Sequence, residues 1–529
     1  MKNKFIYIAT CSMAVMSLVA CNDLDTKPFD NYVTTDQKVD AIDNKPSLAS
    51  AGVVGISSTM NQCMTLYDAH CDFGLPSLML FLDCIGPDLV SRDTGYNWFS
   101  SSGAYDLGNN NNYVNNIAWY NCYKIIRSSN DVLKNIDPET EDPQLQLYAA
   151  QGYGNRANAY FILAQLFQFT YKGHETLPCV PLITDQNADV AATEGAPRAT
   201  VQEVYDQIMS DLDKAVKFLD ECGLTVDKIA ETGSKRFISL GAAYGLRARV
   251  NLVMNNWQAA ADDAANAIAK SGCTPFSIAE ASRPAFASSD EHNWMWCDFI
   301  QEVDRVVTTG IVNWPSHMGS FNYGYASVGA WRIVSESLYN SIPGTDCRKG
   351  WFLDANCNSK NLNSNQAAYV AQIGMVPYTQ VKFAPYQGVL GTSTNACDIP
   401  YMRVEEMYLI QAEATAMAGN GAQGKQLLED FVKTYRDPSY SCKSTDPAGV
   451  QEAVWMQRRV ELFGEGMCYY DLLRLNKGLD RRGAGWEAQW CYNVPAPLMP
   501  LLVPNGEMEA NNAIGANNST WSKPTPVDE

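Results

Sequence analysis

Histidine is scarce. The chain has 4 in 529 residues, and none forms the paired helical motif of a metallohydrolase. The 16 cysteines include no C-x-x-C pair, which excludes zinc ribbons and thioredoxin-type redox sites. No Walker loop, no G-x-S-x-G elbow and no D-x-D-x-D-G calcium loop occurs. A structural Ca²⁺ held by scattered Asp and carbonyl oxygens therefore has no motif behind it, and no cofactor is expected. Serine triads are set by geometry, so the sequence leaves that chemistry open. Basic charge is also short: 39 Lys+Arg face 58 Asp+Glu, for a net charge of −19. Nucleic acid needs a basic face and is excluded as a partner. After the first twenty residues, no apolar run approaches the roughly 18–20 residues of a spanning helix, which excludes multipass transport.

Lys2 and Lys4 precede an uncharged stretch from Phe5 to Ala20, the layout of a secretory leader. It ends in Leu18-Val19-Ala20-Cys21, and small residues before a Cys resemble the bacterial lipobox. The expectation is a leader over 1–20 that is removed, acylation of Cys21, and a polar tether over 21–44. The alternative is an ordinary leader that happens to contain a Cys. Each buried lipid CH₂ contributes about 0.8 kcal/mol, so two or more chains anchor stably. With so acidic a chain, acyl groups and not a basic patch must hold it on an anionic surface. An even cysteine count in an exported chain permits disulfides; Cys347–Cys357 and Cys63–Cys71 are the local pairs to test, against a reading of mostly buried thiols.

The body reads as mainly α. Helical spacing of apolar residues predicts helices over 115–136, with Pro138 closing it, and over 145–171, where Ala149, Ala157 and Ala164 recur seven apart. Thr200 with Glu203 is a capping box opening a helix over 201–219. Two hairpins follow, 240–254 with 257–269 and 403–417 with 422–435, and a further helix begins over 451–463. Trp257, Ala260 and Ala267 have the bulky–small–small spacing of a tetratricopeptide helix, so stacked helix pairs are expected. The stretches 96–112, 275–329, 344–400 and 486–529 read as non-helical loops. Their aromatic content argues for order and their length for function.

The order of these segments resembles the SusD/RagB family over nearly the whole chain. Trp119-x-x-Cys-Tyr-x-Ile-Ile…Ser129-Asn130 resembles the family's first conserved helix. Arg198-Ala-Thr-x-x-Glu203-Val-Tyr205-x-x-Ile208-x-x-Asp211-Leu212-x-x-Ala215 is similar to its next segment. Arg403…Glu406…Ala412-Glu413-Ala414, Arg458-Arg459-Val-Glu461…Glu465-Gly466…Asp471-Leu472-x-Arg474, and Pro500…Pro504-x-x-Glu507 resemble its later motifs. Cys468, Gln457 and Glu429 depart from the usual pattern. The resemblance implies a tetratricopeptide-like helix-pair scaffold with an irregular loop-rich subdomain. It implies a helical region over 45–274, then 275–529 with the ligand loops and last helix pairs. It also implies an outer-membrane, lipid-anchored protein facing the cell exterior, without catalysis. Such a protein captures glycan and delivers it to a SusC-like TonB-dependent transporter. A peptide-binding lipoprotein of the same architecture, or a surface hydrolase, is the alternative.

Glu461 and Glu465 could be taken for a glycosidase acid/base pair. Four residues apart on one helix face and flanked by Arg458, Arg459 and Arg474, they read better as a partly buried ion-pair network, as do Arg403, Glu406, Glu413 and Asp346-Cys-Arg348. A sugar ring offers a C–H face for stacking and a rim of hydroxyls for amides. Loop aromatics are thus the candidates: Trp98, Trp314, Tyr323 and Tyr325, with Asn110 and Asn112 for hydroxyl contacts. The Trp98 loop and the Trp314–Tyr325 loop also fall where the family's binding aromatics tend to lie. Trp294, Trp296 and Trp331 flank regular elements and read as core.

Overall fold

The structure, a computed structural model, describes residues 35–517 and 520–528. The leader over 1–20, Cys21 and most of the tether over 21–44 lie outside the described residues. The chain divides into two compact units, residues 1–48 and 49–529. The first contains the helix Thr35–Asn44.

The second opens with α1 (Ser50–Met60) and α2 (Leu75–Ile85), followed by α3 (Tyr113–Leu133) and α4 (Pro143–Phe167). All eleven residues of α2 are buried, so its sequence has no polar face to betray a helical period. Asp142 caps α4 by accepting from the backbone N–H of Gln144 and Leu145, both at 2.9 Å, and Pro143 supplies the pre-set φ of a first helical residue. From Leu145 to Phe167 every residue of α4 is buried, because α3 and α5 (Val201–Glu221) pack on its sides. Gly152 is needed here: a Cβ would sit 2.8 Å from Leu133 Cγ. Two polar residues on this central helix are paired inward: Arg156 meets Asp211 of α5 at 2.8 Å, and Gln151 Nε2 donates to Ile238 O at 2.9 Å. The capping box at Thr200 and Glu203 is present.

The hairpins stack next. α6 (Leu240–Val253) pairs with α7 (Trp257–Ser271) through Asn255 in the left-handed region (φ 61°). The stretch 344–400, expected to lack helix, contains α8 (Ser364–Ile373). It starts on an Asn363–Gln366 capping box, a signal that Asn and Gln supply as well as Thr and Glu. α9 (Val404–Met417) and α10 (Gly421–Tyr435) form the second hairpin, with α11 (Pro447–Glu461) and α12 (Cys468–Arg474) behind them. α7 packs on α9, and α9 on α10 and α11. Helix pairs in this repeated stack make the chain mainly α. Its strands are short antiparallel pairs, the longest joining Trp294–Asp298 to Ile399–Arg403. Trp294 and Trp296 on that strand are core residues, 0% and 1% exposed.

The ionic network at the end of α11 is real, but its arginines are not the neighbours in sequence. Glu461 accepts from Arg436 Nε (2.7 Å), Arg403 Nη1 (3.1 Å) and Arg348 Nη1 (3.2 Å). Glu465 accepts from Lys382 Nζ (2.6 Å) and Arg403 Nη2 (2.8 Å). Arg458 turns instead to Asp471 (2.7 Å), Arg459 to Asp88 (2.5 Å) and Arg474 to Glu413 (2.5 Å). Helix periodicity sends consecutive arginines to different faces, so sequence proximity misassigned the partners. The network is fully buried rather than partly so. Despite its burial, the Glu461 carboxyl is held well below the usual range, by Arg436 first and then Arg403 and Arg348. Burial brings the Lys382 ammonium down to about 8. Cys63, Cys71, Cys347 and Cys357 are free thiols, so neither local disulfide forms. Cys357 Sγ instead donates to Met375 O.

Candidate functional site

Three loops meet at one aromatic cluster: the loop after α1, which carries His70; the loop before α3, which carries Tyr96, Trp98 and Phe99; and the loop that carries Tyr323 and Tyr325. The last of these lies tight against the turn Trp314–Met318 because Gly324 has no side chain; a Cβ there would sit 2.5 Å from Ser316. Asp93 shapes the second loop by accepting from Asn97 Nδ2 (2.6 Å) and from Gly95 N–H (3.3 Å). The exposed Tyr96 is thus presented at the tip of an ordered turn.

His70 is the hub. Its ring stacks on Trp98 with centroids 4.8 Å apart and lies 5.9 Å from the Tyr325 ring, whose hydroxyl hydrogen-bonds His70 Nδ1. Tyr96 leans on Tyr325 at 5.4 Å. Beneath them His317 is sandwiched between Tyr325 (4.5 Å) and Phe73 (5.6 Å), with Phe99 edge-on at 5.0 Å. Burial first, and the Arg332 charge next, hold the His317 imidazole well below its usual range, so it is neutral and stacks as an aromatic ring. Burial also raises the Tyr325 hydroxyl, so it remains a proton donor. Two buried arginines fix the backbone: Arg332 donates to His317 O (2.7 Å). Arg481 Nη1 binds Gly103 O and Trp490 O (3.0 Å), and its Nη2 binds Ile85 O (2.8 Å). The result is a floor of sealed rings under a face formed by Tyr96 (50% exposed) and the half-buried Trp98 and His70.

The structure thus brings Trp98 and Tyr325 together through His70. Tyr323 is on the same loop and is 53% exposed, its backbone held by Thr392 O and Asn395 Nδ2. Trp314 lies apart. It is 3% exposed and packs edge-on to Phe383 at 4.8 Å, a core position that leaves no ring face open. Asn112 is engaged as the N-cap of α3, accepting from Val114 N–H at 3.2 Å, and Asn110 Nδ2 donates to Asn505 Oδ1 at 3.2 Å. Tyr96 and His70 were not foreseen. Tyr96 had a signal, two residues before Trp98 on a loop; His70, distant in sequence from its partners, had none.

The site has the features of a binding surface. Among the described residues no group of three or more His, Cys, Asp or Glu is placed to hold a metal ion. The chain resembles known proteins in two blocks. Residues 86–252 match a model described as starch-binding and associating with the outer membrane, and residues 338–522 match the SusD family model. A curated SusD-like protein of Formosa agariphila is 24% identical over 414 residues, 72% of this chain and 76% of its own. A SusD-like carbohydrate-binding protein from Bacteroides vulgatus, 20% identical, superposes with a TM-score of 0.72 over 90% of this chain and 99% of its own. A structure described as a laminarin-binding SusD-like protein, 19% identical, gives 0.59 over 89% and 99%. The helix-pair scaffold, the motif order and the two family matches agree: the chain belongs to the SusD family.

Proposed function

We propose that the protein is a cell-surface glycan-binding lipoprotein that hands its ligand to a SusC-like TonB-dependent transporter. The observation that carries this reading is the aromatic face of the exposed Tyr96 and the half-buried Trp98 and His70, with the exposed Tyr323 on the loop that also carries Tyr325. Flat rings at an open surface stack on the C–H faces of sugars, and the His70–Trp98 stack over the sealed floor holds the indole in place. The names of its relatives, one binding carbohydrate and another laminarin, support the same ligand class. Catalysis is not part of the proposal: the carboxylates most like an acid/base pair, Glu461 and Glu465, are 0% and 8% exposed and saturated by cations. Among the described residues no helix is long and apolar enough to cross a membrane, and membrane attachment is assigned to acylation of Cys21. Tethering also raises the effective concentration of a weak binder at the transporter.

Electrophoresis through gels containing one polysaccharide each tests the ligand class. Retardation by at least one glycan, weakened in Tyr96→Ala and Trp98→Ala, is the expected result; free migration in every gel, with a peptide mixture retained instead, overturns it. Cys21→Ser moves the protein from the membrane fraction to the soluble fraction, and unchanged fractionation refutes the anchor.

A further inference from the structure

Beside the aromatic face runs a shallow cleft bordered by Arg92, Tyr96, Asn97, Phe99, Trp331 and Arg332. Its charge is unusual for this acidic chain. The buried arginines Arg156, Arg348, Arg403, Arg436 and Arg458 each meet a carboxylate, and Arg481 spends its guanidinium on backbone carbonyls. Arg332 does neither in full. It is 5% exposed, with Nε on His317 O, the guanidinium 5.5 Å from the Phe99 ring centroid, and Nη1 4.0 Å from Cys84 Sγ. Its Nη2 has no partner among the described residues, yet it is not among the nitrogens sealed from solvent. Arg92 is exposed and lacks an ion-pair partner among the described residues. Among the described residues the nearby carboxylates make no ion pair with either arginine: Asp93 accepts from Asn97 and Gly95, and Glu487 from Asp93 N–H (3.0 Å) and Gln489 (2.7 Å).

A buried guanidinium without a counter-ion is costly, and the remaining Nη2 of Arg332 together with the exposed guanidinium of Arg92 offers charge-assisted donors to a carboxylate or sulfate. We propose that this cleft receives an anionic substituent of the glycan, a carboxylate or a sulfate ester, on Arg92 and Arg332 while an adjoining sugar ring lies on Tyr96. The ligand class is then an acidic polysaccharide. This rests on the glycan-binding reading and narrows it.

The test uses full-length mature protein on matched polymer pairs: a polyuronate against its carboxyl-reduced form, and a sulfated galactan against its desulfated form. The expected result is that one acidic polymer binds about tenfold tighter than its neutral partner, the scale of one charge-assisted contact. Whichever pair shows the preference identifies the anion. Arg92→Gln, at an exposed position with an unchanged melting temperature, brings that preference to near equality; this variant reports even if Arg332→Gln fails to fold. Equal binding within both pairs, or a preference that survives Arg92→Gln, overturns the inference and leaves glycan binding standing. No retention by any polymer, charged or neutral, overturns both.

Discussion

The imidazole of His70 lies against the indole of Trp98 with ring centroids 4.8 Å apart and planes 19° from parallel. The stack joins a residue from the loop after α1 to one from the loop before α3, and the Tyr325 hydroxyl locks His70 from the other side. His70 is therefore a brace for the indole. His70→Ala should cost binding through lost pre-organisation by about 1 kcal/mol, roughly a fivefold rise in Kd. Isothermal titration with a glycan that the wild type retains checks this. His70→Phe, which keeps a ring, should recover most of the loss; equal Kd values for wild type and His70→Ala would contradict the bracing role.

Trp314 and Tyr96 separate packing from binding. Trp314 is buried edge-on to Phe383, so Trp314→Ala leaves a cavity and should destabilise by about 3–5 kcal/mol. Tyr96 is half exposed, and Tyr96→Ala should change stability by no more than about 0.5 kcal/mol while lowering glycan retention. Urea unfolding beside gel retardation gives both readouts. A stable Trp314→Ala protein with weakened binding would reverse the assignment.

The same pair marks what the sequence made legible. Helix periodicity, caps and hairpin turns are local, so α3, α5, α6, α7, α9 and α10 fell close to their observed bounds. Fully buried α2 lacks a polar face, so no helical period marks it in the sequence. In the loops, residue type points to aromatics, of which the structure leaves Tyr323 exposed and Trp98 half-buried and puts Tyr325 in the floor beneath. No local pattern distinguishes a loop Trp that faces solvent from one that packs inward, because the difference lies in Phe383, 69 residues further along. The partners of Glu461 were obscured for the same reason: Arg348, Arg403 and Arg436 converge from separate segments that only the fold brings together.

Glu461→Gln should destabilise by about 3–5 kcal/mol, because it leaves Arg348, Arg403 and Arg436 buried without their shared counter-charge. The folded carboxyl titrates well below its unfolded value of about 4.3, so its contribution is present above that pH and is lost as pH falls towards the folded value. Melting curves between pH 7 and pH 3 should show wild type losing its advantage over Glu461→Gln on acidification. A constant gap across that range would mean the carboxylate is not what the arginines require.

Asp83 carries the opposite sign. Its carboxyl is buried at the end of α2 and accepts from Gly466 N–H at 2.9 Å. Burial pushes it up to about 8. The unfolded group ionises above about 3.9 while the folded group keeps its proton to about 8. Between those values the folded state binds more protons, so this group makes stability fall as pH rises. Asp83→Asn removes the titration and retains an oxygen for Gly466 N–H. The variant should match wild type near pH 4 and exceed it near pH 8, by on the order of a few kcal/mol. Thermal unfolding at the two pH values decides it: a variant less stable than wild type at pH 8 would mean that the ionised carboxylate is tolerated, with Lys382 as its counter-charge.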